Sequence, residues 1–264
     1  MAVKILEYDK KSNKVLFVLK DSDTIFANTL RRVIIDEVPT MAVEDVEFRK
    51  NNSLLYDEIV AHRLGLAALK TDLKSYNLPS ECKCEGAGCA RCQVKLTLSS
   101  SEPGYVHASE LKSADPKIIP VYPETPIAKL IKGQKIELEA TATLGKGKQH
   151  AKWSPGHAYY KHRVAVNMTK KVENPEKIVE LCSKGVFEMK DGKLAVNQSK
   201  LDRCDLCSVC EEAAKNEIKL ERSGEILFYL ESWGQLSCKE ILNEALDIFN
   251  ETFDEFNEKV KELK

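Results

Sequence analysis

The sequence has no long apolar run and no excess of charge of either sign. No stretch approaches the roughly 18 consecutive apolar residues that a membrane-spanning helix needs, and the first ten residues carry no apolar leader core. The 40 basic and 41 acidic residues give a formal net charge of -1, so bulk electrostatics does not draw the chain to nucleic acid or to an anionic membrane. We therefore expect a cytoplasmic protein with little or no direct nucleic-acid contact and no membrane contact.

Catalytic motifs are scarce as well. The five histidines include no H-E-x-x-H pair, and the chain has no G-x-S-x-G serine motif and no dinucleotide fingerprint. Gly145 and Gly147 lie in a Gly-Lys-Gly-Lys stretch, but the stretch lacks the spacing of a phosphate loop and is typical of a turn between strands. The sequence therefore predicts no active site that belongs to this chain alone.

What the chain does have is nine cysteines, three of them in the run Cys204-x2-Cys207-x2-Cys210. This spacing holds three thiolates in one short loop and is the first part of a ferredoxin ligand run, so it predicts an iron–sulfur cluster. The usual x3-C-P continuation is missing, because position 214 is Ala214. Cys182 is the candidate fourth ligand of a 4Fe-4S cluster, and without it a 3Fe-4S cluster is expected.

Alternatives stay open for these four cysteines. The three-cysteine run also suits zinc, whereas disulfides are less favoured because cytosolic thiols are usually kept reduced. Cys182 can equally be a small buried apolar side chain rather than a ligand. The number of iron atoms and the role of Cys182 are therefore left open by the sequence.

A second cysteine group lies earlier in the chain. Gly86 and Gly88 within it permit a tight turn, and four thiolates in so short a loop suit a tetrahedral zinc site. Two local disulfides are the alternative, because intracellular proteins of hyperthermophiles contain such bridges. The group has the spacing Cys82-x-Cys84-x4-Cys89-x2-Cys92.

Hydrophobic periodicity indicates both strands and helices along the chain. Alternating apolar and polar residues predict a β-hairpin over residues 3–20, and a helix follows over 23–37 that must end before Pro39. Strands and short helical pieces alternate from residue 41 to residue 65. The dipeptide Asn174-Pro175 opens another helix ahead of the three-cysteine loop, and residues 226–230 read as a strand.

These segments predict an α+β fold in which one domain is interrupted by two consecutive inserted modules. Residues 1–40 and 225–264 form the interrupted domain. Residues 41–170 form an α+β insert that contains the cysteine group at 82–92, and residues 171–224 form a ferredoxin-like iron–sulfur module.

The longest predicted helix follows Ser237, which forms a capping box with Glu240. Apolar residues then recur at alternating steps of four and three, which makes a narrow heptad seam. An amphipathic helix packed on its own domain is the alternative, but three phenylalanines on one seam favour a partner helix from a second subunit. The seam consists of Leu242, Leu246, Phe249, Phe253, Phe256, Val260 and Leu263.

Three segments carry motifs of a known family. Residues 28–44 contain Asn-Thr-Leu-Arg-Arg in the predicted helix, which runs into Val-Pro-Thr-Met-Ala. Residues 229–237 read Tyr-Leu-Glu-Ser-Trp-Gly-Gln-Leu-Ser and precede the heptad helix, and residues 149–156 read Gln-His-Ala-Lys-Trp-Ser-Pro-Gly. Together they resemble the α-type assembly subunits of RNA polymerase, and the third segment is similar to one shared by the archaeal and eukaryotic members.

The resemblance covers nearly the whole chain and implies a scaffold rather than a catalyst. It implies that residues 1–40 and 225–264 form a dimerisation domain that pairs with a smaller subunit, L. Subunits N and P and the two large catalytic subunits would assemble on that heterodimer. Arg31 and Arg32 are implied contacts to the large subunits. The implied heterodimer core consists of Phe26, Leu30, Leu242, Leu246, Phe249, Phe253, Phe256 and Val260.

A ferredoxin-like electron-transfer or redox-sensing protein is the alternative function, because it would use the same iron–sulfur cluster. Such a protein needs a partner flavin or a second cluster. The sequence contains neither a second C-x2-C-x2-C run nor a dinucleotide fingerprint, so the assembly function is favoured.

Overall fold

A computed structural model describes residues 2–169, 172–215 and 217–263 of the chain. The helices are α1 (Thr24–Asp36), α2 (Asp57–Leu66), α3 (Pro175–Leu181), α4 (Val209–Ala213) and α5 (Cys238–Lys261). The first six strands are β1 (Ala2–Asp9), β2 (Lys14–Lys20), β3 (Thr40–Asn51), β4 (Gln93–Ser100), β5 (Gly104–His107) and β6 (Lys112–Ser113). The remaining strands are β7 (Pro126–Leu130), β8 (Ile136–Gly145), β9 (Gly156–Met168), β10 (Phe187–Lys190), β11 (Lys193–Val196) and β12 (Ile218–Ser232).

This mixture of helices and largely antiparallel sheets confirms the predicted α+β class. The chain divides into two compact units, each made of several segments. The first unit consists of Met1–Tyr8, Val15–Asn28 and Tyr159–Tyr229. The second unit consists of Asp9–Lys14, Thr29–Ala158 and Leu230–Lys264. The domain boundaries expected from the sequence, after residues 40, 170 and 224, stay a prediction.

A four-stranded sheet with the order β1-β2-β12-β9 is the main element of the first unit. Strands β1 and β2 form the predicted N-terminal hairpin. Phe17 of β2 stacks on Phe228 of β12 with ring centroids 5.0 Å apart, and both side chains are buried. Strand β9 is paired at the edge of this sheet, although it follows the segments of the insert in sequence.

Helix α1 begins and ends where the sequence predicts. The side chain of Asp23 accepts a hydrogen bond of 2.8 Å from the backbone N–H of Phe26, which satisfies one of the free donors of the first turn. The helix ends at Asp36, three residues before Pro39, whose ring could not continue it.

The second unit contains a four-stranded sheet with the order β3-β8-β4-β6. Strand β8 pairs antiparallel with both β3 and β4, and its apolar residues, such as Ile136 and Leu138, are buried in the core of this unit. Helix α2 adds the fully buried Val60 and Leu64 to the same core. The loop that carries the first cysteine group, residues 82–92, leads directly into β4.

A small separate core lies around the second cysteine group. Ile178 of α3, Phe187 of β10 and Ile218 of β12 are buried there together with Cys204 and Cys210. Strands β10 and β11 form a hairpin whose two central residues, Asp191 and Gly192, both have positive φ, as a tight hairpin turn requires. This core has only eight buried residues in the described part of the chain, so it contributes little stability of its own.

Helix α5 starts with the predicted capping box. The hydroxyl of Ser237 accepts a hydrogen bond from the N–H of Glu240, and the Glu240 carboxylate accepts one from the N–H of Ser237. The helix buries Cys238, Ile241 and Ala245, all within its first eight residues. None of the helices in the described part of the chain is long and apolar enough to span a membrane.

Candidate functional site

The first cysteine group is a tight double turn that ends at β4. Gly86 and Gly88 have φ values of +83° and +87°, in the left-handed region that side chains rarely adopt. Two backbone hydrogen bonds of 2.9 Å, from Glu85 to Cys82 and from Ala87 to Cys84, close the successive turns. The glycines therefore permit the turn that the sequence predicts.

The four sulfurs of this group lie close together. The Cys82–Cys89 and Cys84–Cys92 pairs have Sγ–Sγ distances of 3.5 Å, and all four atoms lie within 4.8 Å of one another. A disulfide needs about 2.05 Å. Four thiolates at about 2.3 Å from one tetrahedral ion are about 3.8 Å apart. The arrangement can therefore bind a metal, and its spacing matches one central ion better than two bridges.

Hydrogen bonds and burial give the thiols of this group different pKa values. A hydrogen bond from Cys82 lowers the pKa of Cys84 to about 6, whereas burial raises the pKa of Cys92 to about 12. The backbone N–H of Cys89 also donates to the sulfur of Cys92 at 3.2 Å. Metal binding would have to displace protons from these thiols, so its affinity would rise with pH.

The second cysteine group lines a single cavity in the first unit. Cys204 and Cys210 are buried, Cys182 is half-buried at the end of α3, and Cys207 is exposed. The walls between them are formed by apolar residues such as Val186. The structure thus brings together the three predicted ligands and the candidate fourth.

The loop from Cys204 to Cys210 folds around this cavity. Leu206 and Ser208 have φ values of 59° and 61°, which is unusual for residues with side chains and indicates a locally strained turn. Burial, together with the charges of Cys204 and Cys182, raises the pKa of Cys210 to about 11. The thiols are therefore close enough to influence one another.

The second group is a candidate for a different kind of metal centre from the first. In the described part of the chain, the set at residues 82–92 is the one whose ligand atoms lie close enough together to hold a single ion. In an iron–sulfur cluster each thiolate binds a different iron atom rather than one shared ion, so the sulfurs need not converge on one point. The donor set, which is all thiolate in an apolar cavity, fits such a cluster.

Two residues of strand β9 hold the entrance to this loop, and no pattern in the sequence predicts them. Lys161 of β9 donates a hydrogen bond of 3.1 Å to the backbone carbonyl of Cys204. Arg163, two residues further along the same strand, binds the Asp202 carboxylate through Nε at 2.8 Å and Nη2 at 3.1 Å. More than 35 residues separate the partners in each pair, so no local motif could reveal them.

The predicted seam of α5 is largely uncovered. Phe253 and Phe256 are 56% and 61% exposed, and Leu246 and Val260 are also exposed. Leu242 and Phe249 are half-buried, so the first half of the seam is more buried than the second half. Phe253 lies 6.2 Å from Phe249 and 6.5 Å from Phe256 between ring centroids, which makes a continuous aromatic stripe.

The predicted interface residues of α1 differ in exposure. Phe26 and Arg31 are half-buried, and Arg32 is exposed with a long contact of 3.9 Å to Asp36. Leu30 is only 7% exposed and belongs to the core of this chain, so it has little surface left for a partner. The surface of α1 around Arg32 is therefore polar, whereas Ile25 in its first turn is an exposed apolar residue.

Comparison with protein families gives a match that covers most of the second unit and continues into β9. Residues 46–166 match the RNA polymerase Rpb3/RpoA insert domain. The matched range begins within β3 and ends within β9, and it includes the cysteine group at 82–92.

Several curated proteins are similar to this chain over most of its length. The DNA-directed RNA polymerase subunit Rpo3 of Methanosphaera stadtmanae is 37% identical over 254 residues, which cover 91% of this chain and 92% of that protein. Rpo3 of Methanosarcina mazei is 38% identical and covers 94% of each chain. Rpo3 of Pyrococcus horikoshii is 38% identical over 93% of each chain.

Proposed function

The chain belongs to the archaeal DNA-directed RNA polymerase subunit Rpo3 family, and from that premise we propose that it nucleates polymerase assembly by pairing through α5 with the small subunit L. Within the polymerase it is a non-catalytic, α-type assembly subunit. The same membership gives no support to the alternative of a ferredoxin-like electron carrier, since these relatives are named as polymerase subunits.

The exposed stripe of α5 is the observation that carries this proposal. A helix that exposes Phe253, Phe256 and Val260 in a row leaves a contiguous apolar surface in water, which isolated soluble chains rarely tolerate. The heptad spacing of the stripe suits another helix, which would bury each apolar side chain between its own. Aromatic residues are also enriched at the centres of protein interfaces.

The heterodimer would then be a platform for the other subunits. We propose that subunits N and P and the two large catalytic subunits assemble on it in the cytoplasm. Arg32 would bind carboxylates or carbonyl groups of a large subunit, because its guanidinium is exposed and its ion pair with Asp36 is long, at 3.9 Å. The dimerisation domain would comprise residues 1–40 and 225–264.

Co-expression with candidate small subunits tests the proposal. We expect subunit L to copurify with this chain in a 1:1 complex, and subunits N and P to join only after that complex has formed. Size-exclusion chromatography with light scattering measures the masses. A chain that remains alone, or that forms a homodimer of equal affinity, would show that α5 does not select this partner.

We further propose that Cys204, Cys207, Cys210 and Cys182 hold an iron–sulfur cluster whose role is structural. The small core around these cysteines would gain most of its stability from the cluster, because binding energy at a site that is unformed in the unfolded chain adds to folding energy. The cluster supplies thiolate–iron bonds that join α3 to the 204–210 loop. No electron-transfer step is required of it.

Zinc is the ion that we propose for the group at residues 82–92. We expect one zinc per chain by elemental analysis, and four additional reactive thiols after chelation under denaturing, non-reducing conditions. Cys84→Ser should lower the zinc content without changing the iron content, because the two cysteine groups lie in different units. Recovery of no new thiols after chelation would instead indicate two disulfides.

A further inference from the structure

One charged side chain of the sheet contacts a residue that we propose as a cluster ligand. The ammonium of Lys161 donates its 3.1 Å hydrogen bond to the carbonyl oxygen of Cys204, the first cysteine of the loop. The contact reaches the backbone of the ligand rather than its sulfur. It therefore fixes where the loop begins without competing for the metal.

The rest of the loop entrance is held by other groups. Arg163 binds the carboxylate of Asp202 with two nitrogens and reaches Glu225 with the third at 2.9 Å. This bidentate contact anchors the turn before Cys204 and leaves Arg163 neutralised by two carboxylates. Lys161 is thus not needed to hold Asp202, and its contact with Cys204 has a separate effect.

Among the described residues, Lys161 forms no close ion pair, although the carboxylates of Asp202 and Asp205 lie near enough to oppose the lowering of its pKa by burial. In the part of the chain that the structure describes, no salt bridge within 4.0 Å involves Lys161, and its nearest aromatic contact is the ring of Tyr229 at 5.9 Å. By contrast, Lys184 at the cavity pairs with Asp205 at 3.4 Å. Lys161 is also half-buried, so water screens its charge less than that of a surface lysine.

We propose that Lys161 positions Cys204 for iron binding and offsets the negative charge of the thiolate-bound cluster. The inference rests on the proposed cluster. The hydrogen bond holds Cys204 in place, so it slows loss of iron. The positive charge favours the reduced cluster, which carries one more negative charge, and so it raises the reduction potential; net charge and nearby hydrogen bonds are among the factors that set such potentials.

Variants of the full-length chain separate the two effects. Lys161→Arg keeps the charge and the donor, Lys161→Gln keeps a donor without charge, and Lys161→Met removes both. Lys193→Met is the matched control, because Lys193 is an exposed lysine of the β10–β11 hairpin in the same unit. Each chain is loaded anaerobically with ferrous iron and sulfide, and iron is counted before measurement.

The reduction potential is measured by titration with dithionite, monitored by electron paramagnetic resonance. We expect Lys161→Met and Lys161→Gln to lower the ratio of reduced to oxidised cluster about tenfold at a fixed potential, a shift of about 59 mV for one electron. Lys161→Arg and Lys193→Met should match the unmodified chain. Bleaching by an iron chelator should be several-fold faster in Lys161→Met than in the control.

The outcomes distinguish this inference from the proposed cofactor. If the unmodified chain binds no iron and sulfide, the cluster proposal itself is wrong. If it holds a cluster and Lys161→Gln has an unchanged potential, only the charge role of Lys161 is overturned. If Lys161→Met loses iron while Lys161→Arg and Lys161→Gln, which both keep a donor, retain it, the positioning role is supported; equal retention of iron by Lys161→Met and the control would overturn it.

Discussion

Phe253→Asp is expected to abolish most of the affinity between this chain and the small subunit. Phe253 lies in the middle of the exposed seam, and a partner helix would desolvate the introduced carboxylate without offering it a partner. Loss of a central aromatic contact typically costs about 2–4 kcal/mol, which is about 30- to 1,000-fold in the dissociation constant. Isothermal titration calorimetry of the purified subunits measures the change.

The same substitution should leave the isolated chain folded. Because Phe253 is 56% exposed, we expect the free energy of unfolding to change by less than about 0.5 kcal/mol. Thr252→Asp is the matched control, since it adds the same charge about 100° around the helix from Phe253. Phe253→Leu should retain binding. Equal affinity for Phe253→Asp and Thr252→Asp would place the interface elsewhere.

The parts of the fold that the sequence predicts well are those fixed by neighbouring residues. The capping box of Ser237 and Glu240, the cap at Asp23 and the stop before Pro39 each depend on residues within a few positions. The heptad seam could be predicted for the same reason, because residues on one face of a helix recur at a fixed spacing in the sequence.

Non-local pairing accounts for what the sequence did not predict. Strand β9 begins at Gly156 and lies in one sheet with strands from both ends of the chain, where its neighbour is β12. Strand β12 begins at Ile218, eight residues before the predicted strand. Sheet partners depend on packing between distant segments, which a periodicity of two cannot specify.

The candidate metal sites show the same division. Spacing alone indicated the two cysteine groups, and the left-handed glycines at 86 and 88 fit the expected turn. The inclusion of Cys182 with the 204–210 loop in one cavity, and the contact of Lys161 with Cys204, required the fold. A side chain that joins a site from a separate strand leaves no local motif.

Cys207→Ser should remove the iron and the visible absorbance of the purified chain. Cys207 is the exposed member of the group, so its replacement deletes a thiolate without burying a hydroxyl group in the core, unlike the same change at Cys204 or Cys210. Under the proposal that the cluster stabilises the small core, we also expect rapid hydrogen exchange and proteolysis within residues 171–224. Elemental analysis and limited proteolysis measure both effects.

Two further variants show what the loss of the cluster means. Cys84→Ser changes the other cysteine group and should leave the iron content unaltered, and Cys207→Ser should still bind the small subunit with unchanged affinity. Loss of that binding would show that the module and the dimerisation surface are not independent.

Cys182→Ser should convert a four-iron signal in electron paramagnetic resonance to that of a three-iron cluster; an unchanged spectrum would show that Cys182 is not a ligand.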